Sequence, residues 1–212
     1  GNGTLSSVPK VYPHAGQVTS VELDAAVLEA RALEVAEHAF VPTAGAVLSD
    51  WGADVIKVEH AQRGDAMRGL ASTGVMNLGD GVHVLNEHAN RGKRSIGIDL
   101  TKPEGREVLY KLAASSDVFL TNKLPSVLEK LKIDVDDIRA HNPQIIYASA
   151  SGYGPDGPDS GKPAFALTAE ARSGALWWFG PDDDTPHELD IADQIAGMML
   201  SYGFIGAVVA RE

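Results

Sequence analysis

Short apolar runs alternate with segments of helical periodicity from Arg31 onwards. The runs that are typical of buried strands are RALEVA, ADVIKVE, SIGIDL, DVFLT and QIIYASAS. The helical segments between them are PTAGAVLSDWG, PEGREVLYKLAASS, SVLEKL and DVDDIRAHN, the second of which begins at Pro103, a residue favoured in the first turn of a helix. Strands that alternate with helices predict an α/β fold with a parallel sheet covered on both faces and right-handed crossovers.

The rest of the chain divides into an arm, a polar insertion and two later helices. Residues 1–26 are rich in Gly, Ser and Pro and are expected to form an N-terminal arm, so one domain is expected over 27–212. The polar, Gly-rich segment Gln62 to Gly92 separates two strands. Helices are predicted around Leu167 to Leu176 and, with an apolar composition, from Asp193 to Arg211.

Composition narrows the classes of function. Hydrophobic residues make up 44% of the 212 and charged residues 22%, as in folded globular proteins. The net charge of −11, from 18 Lys and Arg against 29 Asp and Glu, argues against nucleic acid as a partner. The chain has no Cys and therefore no disulfide bond that a reducing compartment would break, so a cytoplasmic location is expected. No export signal and no stretch long enough to span a membrane is expected.

The sequence context argues against two common kinds of site, a dinucleotide-binding site and a metal site. Gly152, Gly154 and Gly157 give the spacing G-x-G-x-x-G after a predicted strand. A dinucleotide fingerprint places its third glycine inside a helix, whereas Pro155 and Pro158 favour a loop here. The seven His residues lack the spacing of a metal site. Neither a nicotinamide cofactor nor a metal is therefore expected.

Two polar features each allow a chemical and a structural interpretation. Arg91, Lys93 and Arg94 in NRGKRS could hold the phosphates of a nucleotide-like ligand, or could balance nearby carboxylates in a solvated loop. Asp193 stands where an apolar helix is predicted to begin, so it could cap that helix. The same backbone amides could instead hold its carboxylate ionised as a nucleophile in a cleft. The spacing does not choose between these interpretations.

Several blocks occur in the order found in a known family. They are LSDWGADVIKVEHAQRGDAMR, NRGKRSIGIDLTKPEGREVLYKLAASSDVFLTN and NPQIIYASASGYGPDGP. Together they resemble the class III, or CaiB/BaiF-type, CoA-transferases, the family of formyl-CoA transferase and carnitine CoA-transferase. The resemblance runs from about Leu33 to Glu212. It implies a Rossmann-like sheet, a second half absent from this chain, and an interlocked homodimer in the complete architecture.

The resemblance also implies an activity and a nucleophile. Family members move CoA from an acyl-CoA to a carboxylic acid through an aspartate, with CoA as the carried cofactor and no metal or nicotinamide. The family motif G-D-x-x-x-G is matched by ADQIAG, which places the nucleophile at Asp193. The aspartate first forms a mixed anhydride with the acyl group and then a thioester with CoA. Transfer of CoA through an aspartyl-CoA intermediate is therefore the expected function.

The same resemblance implies contacts with CoA and points out departures from the family. The implied contacts are Ala39, Phe40, His60, Arg91, Lys93, Arg94, Ile98, Asn122, Lys123 and Lys130. Phe165-Ala166 replaces the His-Asp pair of the related 2-methylacyl-CoA racemases, which disfavours racemisation. Ala166 also stands where many transferases keep a second carboxylate. A non-catalytic CoA-binding or assembly subunit with the same fold is the alternative.

Overall fold

A computed structural model describes residues 29–73, 81–178 and 191–211. The five strands of its sheet are β1 (Arg31–Val35), β2 (Asp54–Glu59), β3 (Arg94–Gly97), β4 (Val118–Thr121) and β5 (Ile146–Ser149). The α-helices are α1 (Phe40–Asp50), α2 (Val84–Asn90), α3 (Pro103–Ala114), α4 (Pro125–Leu131), α5 (Val135–Arg139), α6 (Ala166–Ser173), α7 (Ala175–Trp178) and α8 (Ala192–Arg211). The predicted arm, 1–26, lies outside the described residues.

All neighbouring strands pair in parallel, in the order β3-β2-β1-β4-β5. Leu33 in the central strand β1 lies opposite Ile56 on one side and Phe119 on the other. The chain builds outward from β1 to β3 and then returns through α3 to start again at β4. Strand order therefore reverses between β1 and β4, the place where open α/β sheets bind ligands. The predicted Rossmann-like parallel sheet is confirmed.

Helices cover both faces of the sheet, as the alternation of strands and helices predicts. On one face, Leu48 of α1 and Phe204 of α8 pack against small and branched residues of the strands. On the other face, Leu109 of α3 and Ile138 of α5 pack against Leu33 and its neighbours. Alternate residues of a strand point to opposite faces, so β1, β2, β4 and β5 each contribute to both cores, while β3 contributes Ile96 to the second core.

Two elements differ from the sequence-based expectation. The single helix expected around Leu167 to Leu176 is two helices, α6 and α7, because Gly174 between them has a left-handed backbone with φ of 80°. A left-handed residue ends a helix, and glycine adopts that conformation without steric cost. The polar segment Gln62 to Gly92 also contains regular structure, a 3-10 helix (Ala66–Thr73) and α2.

The last helix, α8, corrects the expectation that no segment reaches the length of a membrane span. Its 20 residues are long and apolar enough to cross a membrane by length and composition. Phe204 and Val208 of α8 are buried in the core beside the sheet, whereas only 22% of its apolar stretch is buried in all, and Ile195, Met199 and Tyr202 are exposed. α8 packs closely on α1, and Asp193 lies near the start of α8.

Candidate active site

Two cavities open where the carboxyl ends of the strands meet the following loops. The larger, the Asp193 cavity, has a volume of about 380 Å³ and is lined by the loops after β1, β4 and β5 and the first turns of α6 and α8. The smaller, the His60 cavity, has a volume of about 100 Å³ and lies over the ends of β1, β2 and β3. Glu37 and Lys123 line both. The cavities are therefore neighbours at the reversal of strand order.

Glu37 and two residues that follow β4 form the boundary between the cavities. The Asn122 side chain accepts from the Glu37 N–H at 3.1 Å and donates to the Glu37 carbonyl at 2.6 Å. The Lys123 Nζ lies 2.5 Å from the Glu37 carboxylate. These contacts tie the two loops together across the switch point. Asn122 thus shapes the site through the backbone, and its contact with CoA stays a prediction.

Asp193 is the second residue of α8 and lines the larger cavity. The helix begins one residue earlier, at Ala192, so Asp193 lies in the first turn and not at the N-cap position that one of its two sequence interpretations gave it. The preceding residue, Ile191, accepts from the Ile195 N–H at 3.0 Å and donates its own N–H to Glu170 at 3.1 Å. The first turn of a helix carries partial positive charge, which favours an ionised carboxylate. Asp193 is therefore a half-buried carboxylate suited to nucleophilic attack.

Gly197 explains why this carboxylate meets the start of α1. A Cβ added at Gly197 would lie 2.7 Å from the Cβ of Thr43 and 2.8 Å from the Phe40 carbonyl oxygen. Only glycine allows helices to approach this closely. Thr43 also donates to Gln194 at 3.2 Å. The spacing of Asp193 and Gly197 thus places the carboxylate one turn before the closest helix contact, beside Phe40.

The basic run lies away from both cavities. Its residues pair with carboxylates: Arg91 with Asp50 at 2.5 Å, Lys93 with Glu34 at 2.6 Å and Arg94 with Asp54 at 2.6 Å. Arg94 begins β3, whereas the cavities lie at the opposite, carboxyl end of the strands. None of the three is among the described residues that line either cavity. The contacts favour charge balance, and binding of CoA phosphates by this run gains no support.

The other predicted contacts divide into two groups. Phe40, Asn122 and Lys123 line the Asp193 cavity, while His60 and Ile98 join Lys123 in the His60 cavity. Ala39 is buried before α1, and Lys130 is exposed on α4. Neither belongs to a described cavity lining, so their roles stay predictions.

A buried network of ion pairs lies beneath the loop that follows β1. The sequence analysis did not predict it. Lys57 lies 2.6 Å from Asp65 and 3.2 Å from Glu34, and Lys93 lies 2.6 Å from the other oxygen of Glu34. Burial lowers the pKa of Lys93 to about 8. Asp65 also accepts the His38 N–H at 3.1 Å. Two lysines and two carboxylates thus balance inside the fold and hold the loop that lines the Asp193 cavity.

The sequence analysis also did not predict two residues that line the cavities, His38 and Arg63. His38 has a left-handed backbone with φ of 64°, and its ring meets Phe165 edge-on at 5.7 Å in the Asp193 cavity. Such a conformation is uncommon outside glycine and is often found at functional sites. Arg63 lines the His60 cavity and adds a guanidinium there. No sequence motif marks either residue, but Arg63 follows the end of β2 closely enough for topology to suggest it.

Acid sensitivity is expected from Glu59 at the edge of the His60 cavity. Burial opposes its ionisation, but hydrogen bonds from Arg68 and Ser95 outweigh this and lower the pKa of Glu59 from 4.5 to about 2. The stabilisation is therefore full above pH 4.5 and is lost as the pH falls towards 2. Glu59→Gln should cost about 2 kcal/mol of unfolding free energy at pH 7, allowing for the exposed Arg68 partner.

Urea unfolding at about pH 6 and at about pH 3, on either side of the ordinary carboxyl pKa of about 4, checks this expectation. The difference between the native chain and Glu59→Gln should shrink as the pH falls. The exposed Glu107 of α3 offers the control Glu107→Gln. A difference for Glu59→Gln that stays constant with pH would contradict the linkage.

Comparison with known proteins identifies the family. A family model described as CoA-transferase family III matches residues 29–212. A "probable fatty acyl-CoA transferase" of Mycobacterium tuberculosis is 33% identical over 86% of this chain and 46% of its own length. The succinyl-CoA--L-malate CoA-transferase beta subunit of Chloroflexus aurantiacus is 36% identical over 85% of this chain and 44% of its own. The chain thus spans about half the length of the curated relatives it matches.

The fold comparison agrees with the sequence comparison. A crystal structure of a CaiB/BaiF family protein from Brucella suis matches with a TM-score of 0.78 and 31% identity, over 87% of this chain and 49% of that chain. The described cavities lie within the matched family region, residues 29–212. The chain belongs to CoA-transferase family III.

Proposed function

We propose that this chain supplies the CoA-binding and nucleophilic half of an acyl-CoA:carboxylate CoA-transferase. The observation that carries the proposal is the Asp193 carboxylate, which lies in the first turn of a long helix and lines a cavity at the switch point of the sheet. An oriented carboxylate in a concave site is the group that covalent transfer through an acyl-aspartate uses. Family membership supplies the class of reaction.

The paired cavities suggest a path for CoA. The His60 cavity contains His60 and Arg63 near Ile98, a combination that suits a phosphorylated nucleotide. Lys123 and Glu37 line both cavities, so the pantetheine arm would pass them to bring the thioester to Asp193. Binding of the distant nucleotide then contributes free energy that orients the reacting carbonyl. Both the path and these contacts are part of the proposal.

The chemistry proceeds through two kinds of Asp193 adduct. A carboxylate oxygen of Asp193 attacks the thioester carbonyl of the donor, forming an anhydride and expelling CoA thiolate. The thiolate then attacks the aspartyl carbonyl, releasing the donor carboxylate and leaving an aspartyl-CoA thioester. The acceptor carboxylate attacks this thioester, and the expelled thiolate takes the acceptor acyl group from the new anhydride. Asp193 is regenerated as a carboxylate, and no proton is consumed.

The residues at the start of α6 favour transfer over racemisation. Phe165 and Ala166 lie there, and Phe165 lines the Asp193 cavity. Neither side chain can accept a proton, whereas α-proton racemisation requires two bases. We further propose that the protein acts in the cytoplasm as a homodimer, which rests on the cysteine-free composition and on the family resemblance.

Trapping with hydroxylamine tests covalent transfer. Incubation with an acyl-CoA and hydroxylamine should convert Asp193 into a hydroxamate, which peptide mapping by mass spectrometry would locate. Incubation with CoA and hydroxylamine alone is the control and should leave Asp193 unchanged. CoA binding without a hydroxamate under any acyl-CoA would contradict the nucleophilic role and favour a non-catalytic CoA-binding subunit.

A further inference from the structure

His38 combines an unusual backbone conformation with a place in the Asp193 cavity. Its φ of 64° lies in the left-handed region, where residues other than glycine are uncommon. Its side chain is half-buried and lines the cavity, where the ring meets Phe165 edge-on at 5.7 Å. A backbone of this kind persists only where its surroundings hold it, and such residues cluster at active sites. The contacts that hold His38 therefore bear on what its side chain does.

The backbone of His38 is held by a buried carboxylate. Asp65 is 1% exposed, and one of its oxygens accepts the N–H of His38 at 3.1 Å and that of Met67 at 2.8 Å. Its other oxygen lies 2.6 Å from the ammonium group of Lys57. Hydrogen bonds to an ionised acceptor are stronger than those to a neutral one. Charged groups in the interior thus stabilise the conformation in which the imidazole of His38 lines the cavity.

His38 and Asp193 lie near the starts of two helices that contact each other. α1 begins at Phe40, two residues after His38, and a Cβ added at Gly197 would lie 2.8 Å from the Phe40 carbonyl oxygen. Gly197 follows Asp193 by about one turn of α8. Both side chains line the same cavity, which has a volume of about 380 Å³. A substrate carbonyl group in this cavity can therefore meet the carboxylate and the imidazole together.

The imidazole of His38 is a hydrogen-bond donor that faces this cavity. In the described part of the chain, neither of its ring nitrogens forms a hydrogen bond with another residue. The other side-chain donors of the described lining, Asn122, Lys123 and Ser151, each bond to a neighbouring protein group. A neutral imidazole carries one N–H and a charged imidazole carries two, so the ring can donate in either state.

We propose that His38 is a catalytic residue, whose ring N–H donates a hydrogen bond to the acyl oxygen of the substrate during transfer. The inference rests on the proposed function and adds a second group to its site. When Asp193 attacks the thioester of the donor, the carbonyl oxygen gains negative charge, and the carbonyl re-forms as CoA thiolate leaves. The same oxygen charge develops when the thiolate attacks the acceptor acyl group of the second anhydride and the Asp193 carboxylate leaves.

A fixed donor beside this oxygen stabilises the transition state of both steps. The hydrogen bond strengthens as the oxygen becomes negative, and the ring keeps its proton throughout. Donors held in place by the fold lower the barrier because they need no reorganisation when the charge appears. The buried Asp65 contact is what holds His38 in place before substrate binds.

Replacing His38 with methionine and with two amides tests the donor. His38→Met removes the N–H, whereas His38→Gln and His38→Asn place an amide N–H near the positions of Nε2 and Nδ1. His38→Met should slow the labelling of Asp193 by acyl-CoA and hydroxylamine by about 10²-fold. At least one amide variant should recover about tenfold or more of this loss. In the transfer assay the loss should fall on kcat, with KM and CoA affinity changed by less than about threefold.

Matched variants separate the hydrogen bond from structural effects. Glutamine and methionine are similar in size, and neither favours the left-handed backbone of residue 38, so that cost is common to both. His38→Asn suits this backbone better, and urea unfolding of every variant measures any change in stability. His141→Met makes the same replacement at an exposed residue outside the described lining of both cavities, and should label as the native chain does.

The outcomes separate the inference from the proposed function. Labelling of His38→Met at the native rate would leave covalent transfer standing and overturn the role of His38. An equal loss in all three His38 variants would also overturn hydrogen-bond donation, because the amides restore a donor. If the native chain binds CoA but no acyl-CoA labels Asp193, the proposed function itself is contradicted, and the inference with it.

Discussion

Replacing Asp193 with asparagine is expected to abolish CoA transfer and hydroxamate formation. The amide keeps the size of the side chain but is a poor nucleophile, so turnover should fall by at least about 10⁴-fold. Asp193 lies in the first turn of α8, so loss of its charge also removes a favourable interaction with the helix terminus, worth about 1 kcal/mol or less. CoA binding should persist, because the His60 cavity remains intact.

Glu104 provides the matched control. It is the second residue of α3, as Asp193 is of α8, and it is exposed. Glu104→Gln should therefore lose a similar helix-terminus interaction while retaining transfer and labelling. Both variants are compared by transfer rate, CoA affinity and urea unfolding. Asp193→Asn with turnover within tenfold of the native rate, a factor of about 1.4 kcal/mol in the barrier, would refute the nucleophile.

The sheet could be predicted because its signal is local. Each buried parallel strand is a short, nearly continuous apolar run, such as VFLT in β4, and the helices between strands carry their own periodicity. The break between α6 and α7 could not be placed in the same way. It depends on the left-handed backbone of Gly174, and a glycine within a helical pattern is compatible with either continuation or termination.

The site was predictable where a motif marks it and not where distant partners decide it. Asp193 and Gly197 stand in one motif, and the structure shows that the glycine admits a close helix contact. The charge of Arg94 is visible in the sequence, but its partner Asp54 lies 40 residues earlier in the chain. The basic run could therefore be interpreted as phosphate-binding until the fold paired it with carboxylates. The ion pair between Lys123 and Glu37 likewise joins residues that are far apart in the sequence and could not be predicted from it.

The largest stability effect is expected from Glu34, which is fully buried between two lysines. It lies 3.2 Å from Lys57 and 2.6 Å from Lys93, and a Cβ added at Gly45 would lie 2.0 Å from its carboxylate. The site thus has no space for compensating water or a new side chain. Glu34→Gln would leave two lysines with the single carboxylate of Asp65, and should cost about 3–5 kcal/mol of unfolding free energy.

Restoring the charge balance distinguishes electrostatics from packing. In the double variant Glu34→Gln with Lys93→Met, one buried lysine faces the one remaining buried carboxylate, so much of the lost stability should return, about 2 kcal/mol or more. Asp54→Asn removes a half-exposed carboxylate from its two arginine partners and should cost less than about 1 kcal/mol. Urea unfolding at neutral pH measures these three variants together with Lys93→Met alone, which completes the double-mutant cycle. Additive losses in the double variant would contradict the charge-balance account, because unpaired charge would then contribute nothing beyond lost contacts.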